Sequence, residues 1–135
     1  MRVIEKVAAM VIQNNAFLMV RKKGKETWTN LGGHREGDET EEIALLREID
    51  EELGCRARII RKLGDFEAPA VHDPGATVRL ATYLVELTGE PVLQDPELEE
   101  WTFVGHDYRK RGIQLPPSIE QHVLPHLIRE DLLAW

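Results

Sequence analysis

The sequence has one cysteine, no long hydrophobic run and a shortage of positive charge. Cys55 is the single cysteine in 135 residues, so an intrachain disulfide is excluded, and no Cys/His group has the spacing of a zinc site. The longest apolar run, residues 7–12, is too short to cross about 30 Å of hydrocarbon, and residues 1–5 lack the apolar stretch of a signal peptide. We therefore expect a cytoplasmic protein without a membrane anchor.

The charge balance argues against polyanionic partners. The chain has 17 basic and 24 acidic residues, a formal net charge of −7. A negative surplus repels phosphate backbones and anionic lipid surfaces, so we expect neither polymeric nucleic acid nor a membrane as a partner. With 42% hydrophobic and 30% charged residues, the composition is that of a globular protein, and the length predicts a single domain over residues 1–135.

Short apolar segments bounded by turn residues predict strands. The predicted strands are residues 6–12, 16–20, 57–63, 76–87 and 101–104. The first two flank Gln13, Asn14 and Asn15, which are typical of turns, so we expect a β-hairpin there. The pair Gly32 and Gly33 predicts a loop with a tight bend.

Two segments predict helices. Residues 40–53 contain no Gly or Pro, and Gly54 follows as a stop signal. Their apolar positions recur at helical spacing, so we expect Ile43, Leu46 and Ile49 to lie in the core. Residues 118–133 predict a closing amphipathic helix, with Ser118 as its cap and a kink or division at Pro125.

Three carboxylates share one face of the first predicted helix. At about 100° per residue, Glu48, Glu51 and Glu52 fall within an arc of roughly 100°. Like charges at this spacing destabilise an isolated helix by a few tenths of a kcal/mol per pair. A hard divalent cation such as Mg²⁺ or Mn²⁺, which prefers oxygen ligands, would offset the repulsion. The alternative is a solvated acidic face.

The residues around this helix distinguish the two interpretations. The pattern Gly33-x5-Glu39-x7-Arg47-Glu48-Ile49-x-Glu51-Glu52-x-Gly54-Cys55 resembles the Nudix box, Gly-x5-Glu-x7-Arg-Glu-U-x-Glu-Glu-x-Gly-U, where U is a bulky apolar residue. Every fixed position over residues 33–55 matches, with Cys55 a weak version of the last. The resemblance implies an α/β/α sandwich with a mixed central sheet, the box helix on one side and the C-terminal helix on the other.

The resemblance also implies a chemistry. Nudix hydrolases, among them the MutT-like enzymes, use Mg²⁺ or Mn²⁺ and a water molecule to cleave a nucleoside diphosphate linked to another group. Carried over by position, Glu48, Glu51 and Glu52 are the metal-binding catalytic carboxylates, and Glu48 or a neighbour deprotonates the water. The carbonyl of Gly32 would be a further metal ligand.

Other residues are expected to support this site or to bind substrate. Gly33, Glu39 and Arg47 are expected to be structural, because in the family the Glu–Arg pair ties the loop to the helix. The candidates for substrate contact are Arg21, Lys22 and Lys23 for phosphates, Trp28 for a base, and Asp95 or Glu97 as an extra acidic ligand. The alternatives are a surface lysine cluster, a core tryptophan and a solvated acidic loop. His72 is expected in a loop that faces substrate.

The expected reaction is hydrolysis of a (deoxy)nucleoside triphosphate to the monophosphate and pyrophosphate. An ADP-ribose or nucleotide-sugar pyrophosphohydrolase is the alternative within the family. A non-catalytic nucleotide-sensing module is the alternative outside catalysis, although such modules usually lose box carboxylates that this chain keeps. The expected partner is a small nucleotide, and a homodimer is compatible with the sequence.

Overall fold

The computed structural model describes residues 2–70 and 73–135, so His72 lies outside the described residues. The strands are β1 Arg2–Met10, β2 Ile12–Gln13, β3 Ala16–Lys22, β4 Leu31–Gly33, β5 Arg56–Pro69, β6 Ala76–Thr88 and β7 Leu98–Val104. The helices are α1 Glu41–Leu53, then a π-helical segment Ser118–Val123 that continues directly into α2 Leu124–Arg129. Each predicted strand and helix is present, and β5 is longer than expected. The prediction of a loop at Gly32 and Gly33 is wrong, because both residues belong to the short strand β4, which pairs with β1.

The predicted hairpin is formed by β2 and β3. Ile12 pairs with Phe17, and Asn14 and Asn15 make the turn with φ values of 50° and 61°. Two consecutive positive φ angles match the turn that suits twisted hairpin strands, and asparagine tolerates them. Residues 2–10 leave the hairpin and join another sheet, which the prediction of one continuous strand missed.

The strands form two sheets in the described part of the chain. The four-stranded sheet has the order β4-β1-β6-β5, in which β1 and β6 are parallel and the other pairs are antiparallel. The three-stranded sheet has the order β2-β3-β7 and is antiparallel. The prediction of a mixed sheet is confirmed for the four-stranded sheet.

Alternating side chains of β1 face two hydrophobic layers. Val7 and Ala9 pack in the layer beneath α1, whereas Ala8 and Met10 pack in the layer beneath the C-terminal helix. This period of two is a property of strands, and it lets one strand contribute to both cores. The predicted α/β/α arrangement is confirmed.

The rotation of α1 differs from the prediction. Thr40 caps the helix by accepting a hydrogen bond from the Ile43 N–H at 3.2 Å, and Gly54 ends it with a φ of 61°. The buried face consists of Ala44, Leu45, Ile49, Glu52 and Leu53. The core prediction is confirmed for Ile49 and wrong for Ile43 and Leu46, which are 57% and 38% exposed. Leu45, Ile49 and Leu53 also follow helical spacing, and the sheet selects their side.

Pro125 explains the form of the last helix. Proline has no N–H, so it cannot donate to a carbonyl one α-helical turn earlier, and the Leu124 N–H bonds to the wider-spaced Ile119 carbonyl. The helix divides near Pro125 as expected and ends at Arg129 rather than at residue 133. The prediction that Ser118 caps it is wrong, because Pro117 is the cap residue and makes no side-chain cap bond. Of the helices in the described residues, none has the length and apolar character needed to cross a membrane.

Candidate active site

The glycine pair of β4 lies directly against α1. The Gly32 N–H donates a hydrogen bond to Glu52 Oε1 at 3.0 Å. Gly32 has a φ of 127°, and a Cβ on it would overlap the carbonyl oxygen of Val7. A Cβ on Gly33 would lie 2.7 Å from Glu48 Oε1. Glycine at both positions therefore allows the helix carboxylates to approach the strand.

Glu52 is a buried carboxyl group. It is 6% exposed, and burial raises its pKa to about 8 against the opposing effect of the Gly32 hydrogen bond. The negative charges of Glu48 and Asp95 raise the pKa further, and the positive charge of Lys22 lowers it. A cation placed beside this group would stabilise its ionised form.

The other two helix carboxylates are more exposed. The side chain of Glu48 is 18% exposed, and burial raises its pKa despite a hydrogen bond from Arg47. The side chain of Glu51 is 54% exposed. The three carboxylates therefore form a series from buried to solvated along one edge of the helix.

Arg47 connects the preceding loop to the helix. Its guanidinium donates to Glu39 Oε2 and Oε1 at 2.8 and 2.9 Å and to the His34 carbonyl at 3.0 Å. It also contacts Glu48 at 3.1 Å and Glu51 at 3.2 Å. The hydrogen bonds with Glu39 raise the pKa of Arg47 and lower the pKa of Glu39. This bidentate ion pair fixes the orientation of the Arg47 guanidinium as well as its distance from Glu39.

The carboxylate oxygens of α1 are suitable ligands for a hard divalent cation, although their side chains are not arranged to coordinate one. Within residues 2–70 and 73–135, no three His, Cys, Asp or Glu side chains stand together as a metal-ligand group. Arg47 holds Glu48 and Glu51 in ion pairs. The buried carboxyl of Glu52 and the two neighbouring carboxylates supply only oxygen atoms, which are the ligands that hard cations prefer. A cation must therefore compete with Arg47.

A cavity of about 480 Å³ is connected to this group of carboxylates through Lys22, which lines the cavity and whose charge lowers the pKa of Glu52. Its walls come from β1, β6, the loop of residues 24–30 and the start of the C-terminal helix, and its lining includes Lys6, Lys22 and Asn30. Burial, and then the charge of Lys22, lower the pKa of Lys6. Sequence reasoning missed Lys6, although a lysine inside an apolar strand was a signal.

The predicted basic residues separate at a β-bulge. The register of β3 against β7 shifts between Arg21 and Lys22, and a bulge redirects side chains. Lys22 lines the 480 Å³ cavity, whereas Arg21 donates to Glu100 at 2.9 Å. Lys23 is exposed, and its backbone N–H donates to the Glu97 carbonyl at 2.8 Å.

Trp28 is a core residue whose ring also forms part of the cavity wall. It is 7% exposed and belongs to the hydrophobic layer beneath the C-terminal helix. The guanidinium of Arg21 lies 5.8 Å from the ring centroid. The structure thus supports the core interpretation, and Trp28 also lines the 480 Å³ cavity.

The acidic loop is attached to the end of α1. The Val92 and Gln94 N–H groups each donate to helix carbonyls, of Leu53 and Glu52, at 2.9 Å. The Asp95 carboxylate accepts a hydrogen bond from the Glu97 N–H at 2.9 Å. Asp95 follows Gln94, which is bonded to the end of α1, and the charge of Asp95 raises the pKa of Glu52. The Glu97 side chain is exposed.

A family model described as NUDIX domain matches residues 4–114, and so includes the carboxylate helix and most of the cavity wall. The chain belongs to the NUDIX family. Family membership makes it a hydrolase that acts on phosphoric anhydrides, with a nucleoside diphosphate linked to another group as the general form of substrate. Nudix hydrolases generally use divalent metal ions, which agrees with the oxygen donors of α1.

Relatives and solved structures agree with this assignment. An RNA pyrophosphohydrolase of Sulfurovum sp. (strain NBC37-1) is 33% identical over 133 residues, covering 87% of this chain and 83% of the relative. A NUDIX hydrolase from Nitrosomonas europaea superimposes with a TM-score of 0.80 at 18% identity, covering 99% of this chain and 97% of that one. A UDP-X diphosphatase superimposes with a TM-score of 0.78 at 20% identity, and this chain spans 64% of its length. The two structures show the fold.

Proposed function

We propose that this NUDIX hydrolase converts a (deoxy)nucleoside 5′-triphosphate to the monophosphate and pyrophosphate, using Mg²⁺ or Mn²⁺. The observation that carries the proposal is the 480 Å³ cavity, which has Lys6 and Lys22 in its wall and in which Lys22 also acts on the pKa of Glu52 in α1. Ligand pockets for small molecules measure about 300–1,000 Å³, so this volume suits one nucleotide.

Lys6 and Lys22 bind the phosphate chain in this proposal. Both line the cavity, and burial, together with the charge of Lys22, lowers the pKa of Lys6. An anionic phosphate between them relieves that repulsion. Lys22 lines the cavity, and its charge also lowers the pKa of Glu52. The phosphates would therefore extend from the cavity toward α1.

Glu48, Glu51 and Glu52 would hold the divalent cation, with the Gly32 carbonyl as a further ligand. When bound, such a cation neutralises phosphate charge and lowers the pKa of a water molecule. Glu48 accepts the proton of the attacking water in this proposal, because burial raises its pKa while its side chain, 18% exposed, is more accessible to water than the buried Glu52. Glu39 and Arg47 keep the loop and the helix in register.

Other substrates fit the same general chemistry. An ADP-ribose or nucleotide-sugar pyrophosphohydrolase would use the same carboxylates with a different leaving group. A 5′-triphosphorylated RNA end is a second candidate, favoured by the 33% identity to the RNA pyrophosphohydrolase. It shares the triphosphate with a mononucleotide and differs by the further nucleotides attached on the 3′ side of the first ribose. A nucleotide-sensing module is disfavoured by the full set of box carboxylates.

The test is a substrate panel with a matched pair of variants. Nucleoside triphosphates, dinucleoside polyphosphates and nucleotide sugars are incubated with Mg²⁺ and scored for phosphate with and without pyrophosphatase. We expect triphosphates to release phosphate only when pyrophosphatase is present. Glu52→Gln should lower kcat about 100-fold or more, whereas Asp50→Asn, on an exposed position of the same helix, should stay within about threefold of wild type.

Two outcomes would contradict the proposal. Turnover of Glu51→Gln or Glu52→Gln within a few fold of wild type would remove these carboxylates from the mechanism. Binding of Mn²⁺, followed by its electron paramagnetic resonance signal, gives a second readout. Equal Mn²⁺ affinity in wild type, Glu51→Gln and Glu52→Gln would show that the cation lies elsewhere.

A further inference from the structure

Three exposed apolar side chains lie where α1 meets β5. Ile43 and Leu46 are the exposed apolar residues of α1, and Ile60 in β5 is 44% exposed. Ile43 and Leu46 are three residues apart, so they lie on one face of the helix. β5 is an outermost strand of the four-stranded sheet. The chemistry proposed above uses none of these three side chains.

The contacts of α1 with the sheet show on which side Leu46 lies. Glu52 accepts the N–H of Gly32 in β4, which is one edge of the four-stranded sheet. Glu42 lies toward the other edge, because it accepts a hydrogen bond at 2.8 Å from the hydroxyl of Tyr83 in β6, the neighbour of β5. Leu46 follows Glu42 by four residues and so lies on the same side of the helix. Leu46 is therefore directed toward the β5 edge.

Ile60 lies at a bulge in β5, beside this part of the helix. The register of β5 against β6 shifts between Ile59 and Arg61, so Ile60 is the extra residue. Ile59 packs in the layer beneath α1, and Lys62 forms an ion pair at 2.9 Å with Glu41 in the first turn of α1. The strand therefore contacts the helix layer on both sides of Ile60. We call Ile43, Leu46 and Ile60 the apolar seam.

Two opposite charges flank the apolar seam. Asp50 is exposed and lies on the same helix face as the two α1 members of the seam, at spacings of seven and four residues. Arg61 is exposed and follows Ile60 in β5. The neighbouring Arg58 and Lys62 are held in ion pairs, whereas neither Asp50 nor Arg61 forms an ion pair with any residue that the structure describes. The seam thus has an acidic group on its helix side and a basic group on its strand side.

We propose that the apolar seam is the contact surface of a homodimer, in which Asp50 of each chain faces Arg61 of the partner subunit. A two-fold interface uses the same surface on both subunits and must be self-complementary. A two-fold rotation about the seam places the acidic helix side of one chain opposite the basic strand side of the other. The bulge at Ile60 disfavours direct pairing of two β5 edges, so side chains make the contact.

The charge of the whole chain makes a second copy a demanding partner. Each chain has a net charge of −7, and like net charges keep proteins apart. Association of two copies therefore needs local pairs of opposite sign, which Asp50 and Arg61 supply twice in a two-fold interface. Among the described residues, no member of the seam lines the 480 Å³ cavity, so the dimer leaves that cavity open. The inference holds whether or not a triphosphate is the substrate.

Two charge reversals test the pairing across the interface. Wild type is followed by sedimentation velocity from about 1 to 100 µM, and we expect a species of twice the chain mass at the upper end. Asp50→Arg and Arg61→Glu should each weaken association about tenfold or more, because like charges then face each other twice. An equimolar mixture of the two variants should form a heterodimer with about the wild-type affinity, because each chain supplies the charge that the other lacks.

A further variant tests the apolar contact. Leu46→Asp should weaken association about tenfold or more, because it places a charge in the centre of the seam. Val3→Asp is the matched control and should dimerise as wild type does. Val3 is 43% exposed and lies in β1, which β6 separates from β5. Thermal unfolding followed by circular dichroism checks that each variant is folded.

Three outcomes would overturn the inference. Wild type that stays monomeric up to about 100 µM would show that the seam does not bind a second copy. A mixture of Asp50→Arg and Arg61→Glu that stays monomeric would remove the proposed charge pairing. A Leu46→Asp protein that dimerises as wild type does would place the interface elsewhere. None of these measurements depends on hydrolysis, so failure of the proposed function and failure of the dimer are detected separately.

Discussion

Glu52 links the chemistry of the site to the stability of the protein. Its pKa is raised to about 8 from 4.5 because the carboxyl group is buried. A group with a raised pKa binds its proton more tightly in the folded state, so the free energy of unfolding falls as the pH rises from about 4.5 to about 8. The folded protein thus carries a destabilising charge above that range, where a cation would compensate it.

Replacing this carboxyl should stabilise the protein at high pH. In EDTA at pH 9, Glu52→Gln should increase the free energy of unfolding by on the order of 3 kcal/mol, because the amide cannot ionise. At pH 5 the variant and wild type should unfold alike. Urea unfolding at the two pH values measures the difference. Glu51→Gln is the control, since its carboxyl is 54% exposed, and an equal gain there would contradict the explanation.

The sequence specifies the residues of the helix edge better than those of the cavity. Glu48, Glu51 and Glu52 share an edge because helical rotation depends only on sequence spacing. Lys6 reaches the cavity only because β1 lies between β4 and β6 in the sheet, which local sequence does not encode. The same applies to the separation of Lys22, which lines the cavity, from Arg21, which pairs with Glu100, because this separation depends on a bulge.

At the scale of elements, α1 shows that hydrophobic periodicity does not determine which face of a helix is buried. Two apolar sets fit a helix over residues 41–53, and the prediction placed Ile43 and Leu46 inside. The structure buries Leu45 with Ile49 and Leu53 instead. This rotation also places the Glu52 carboxylate against the strand, where it accepts the Gly32 N–H. The position of a helix is therefore predictable from its sequence, whereas its rotation depends on the sheet it meets.

The end of α1 is also the support of the acidic loop. Gly54 has a φ of 61°, and a Cβ on it would lie 3.0 Å from the Gln94 side chain. Gly54→Ala should therefore cost about 1 kcal/mol for the backbone, as is usual at a left-handed cap, and a further cost for displacing Gln94. Gly37→Ala is the control, because Gly37 has a φ of 53° with open space around it.

The two alanine variants separate the contact from the backbone strain. Urea unfolding should give a larger loss for Gly54→Ala than for Gly37→Ala. In Gly54→Ala, displacement of Gln94 should also disturb the hydrogen bond from the Gln94 N–H to the Glu52 carbonyl. Equal losses in the two variants would mean that Gln94 moves aside freely.

At the scale of the whole molecule, Ala134 and Trp135 pack against the turn of the β2–β3 hairpin. The Trp135 ring stacks on His106 at 5.2 Å between centroids, and its Nε1–H donates to the Asn15 carbonyl at 2.9 Å. The Asn15 side chain accepts a hydrogen bond from the Ala134 N–H at 2.6 Å. Segments almost the full length of the chain apart are thus joined, which the strand and helix patterns did not predict.

Removing this aromatic contact should weaken the fold. Trp135→Ala should lower the free energy of unfolding by about 1–3 kcal/mol, because it loses ring burial, stacking and one hydrogen bond. Trp135→Phe keeps a stacked ring without the N–H, so its loss should be the smaller one. Urea unfolding measures both. A Trp135→Ala protein as stable as wild type would show that the contact is not formed in solution.

Trp28 lines both the 480 Å³ cavity and a neighbouring cavity of about 610 Å³. A ligand that displaces the indole ring in one cavity changes the shape of the other cavity, so the binding of ligands in the two cavities is energetically coupled. Such coupling is reciprocal: whatever factor the first guest applies to the affinity of the second, the second applies to the first. Ligands bound in both cavities would thus change each other's affinity through this single side chain.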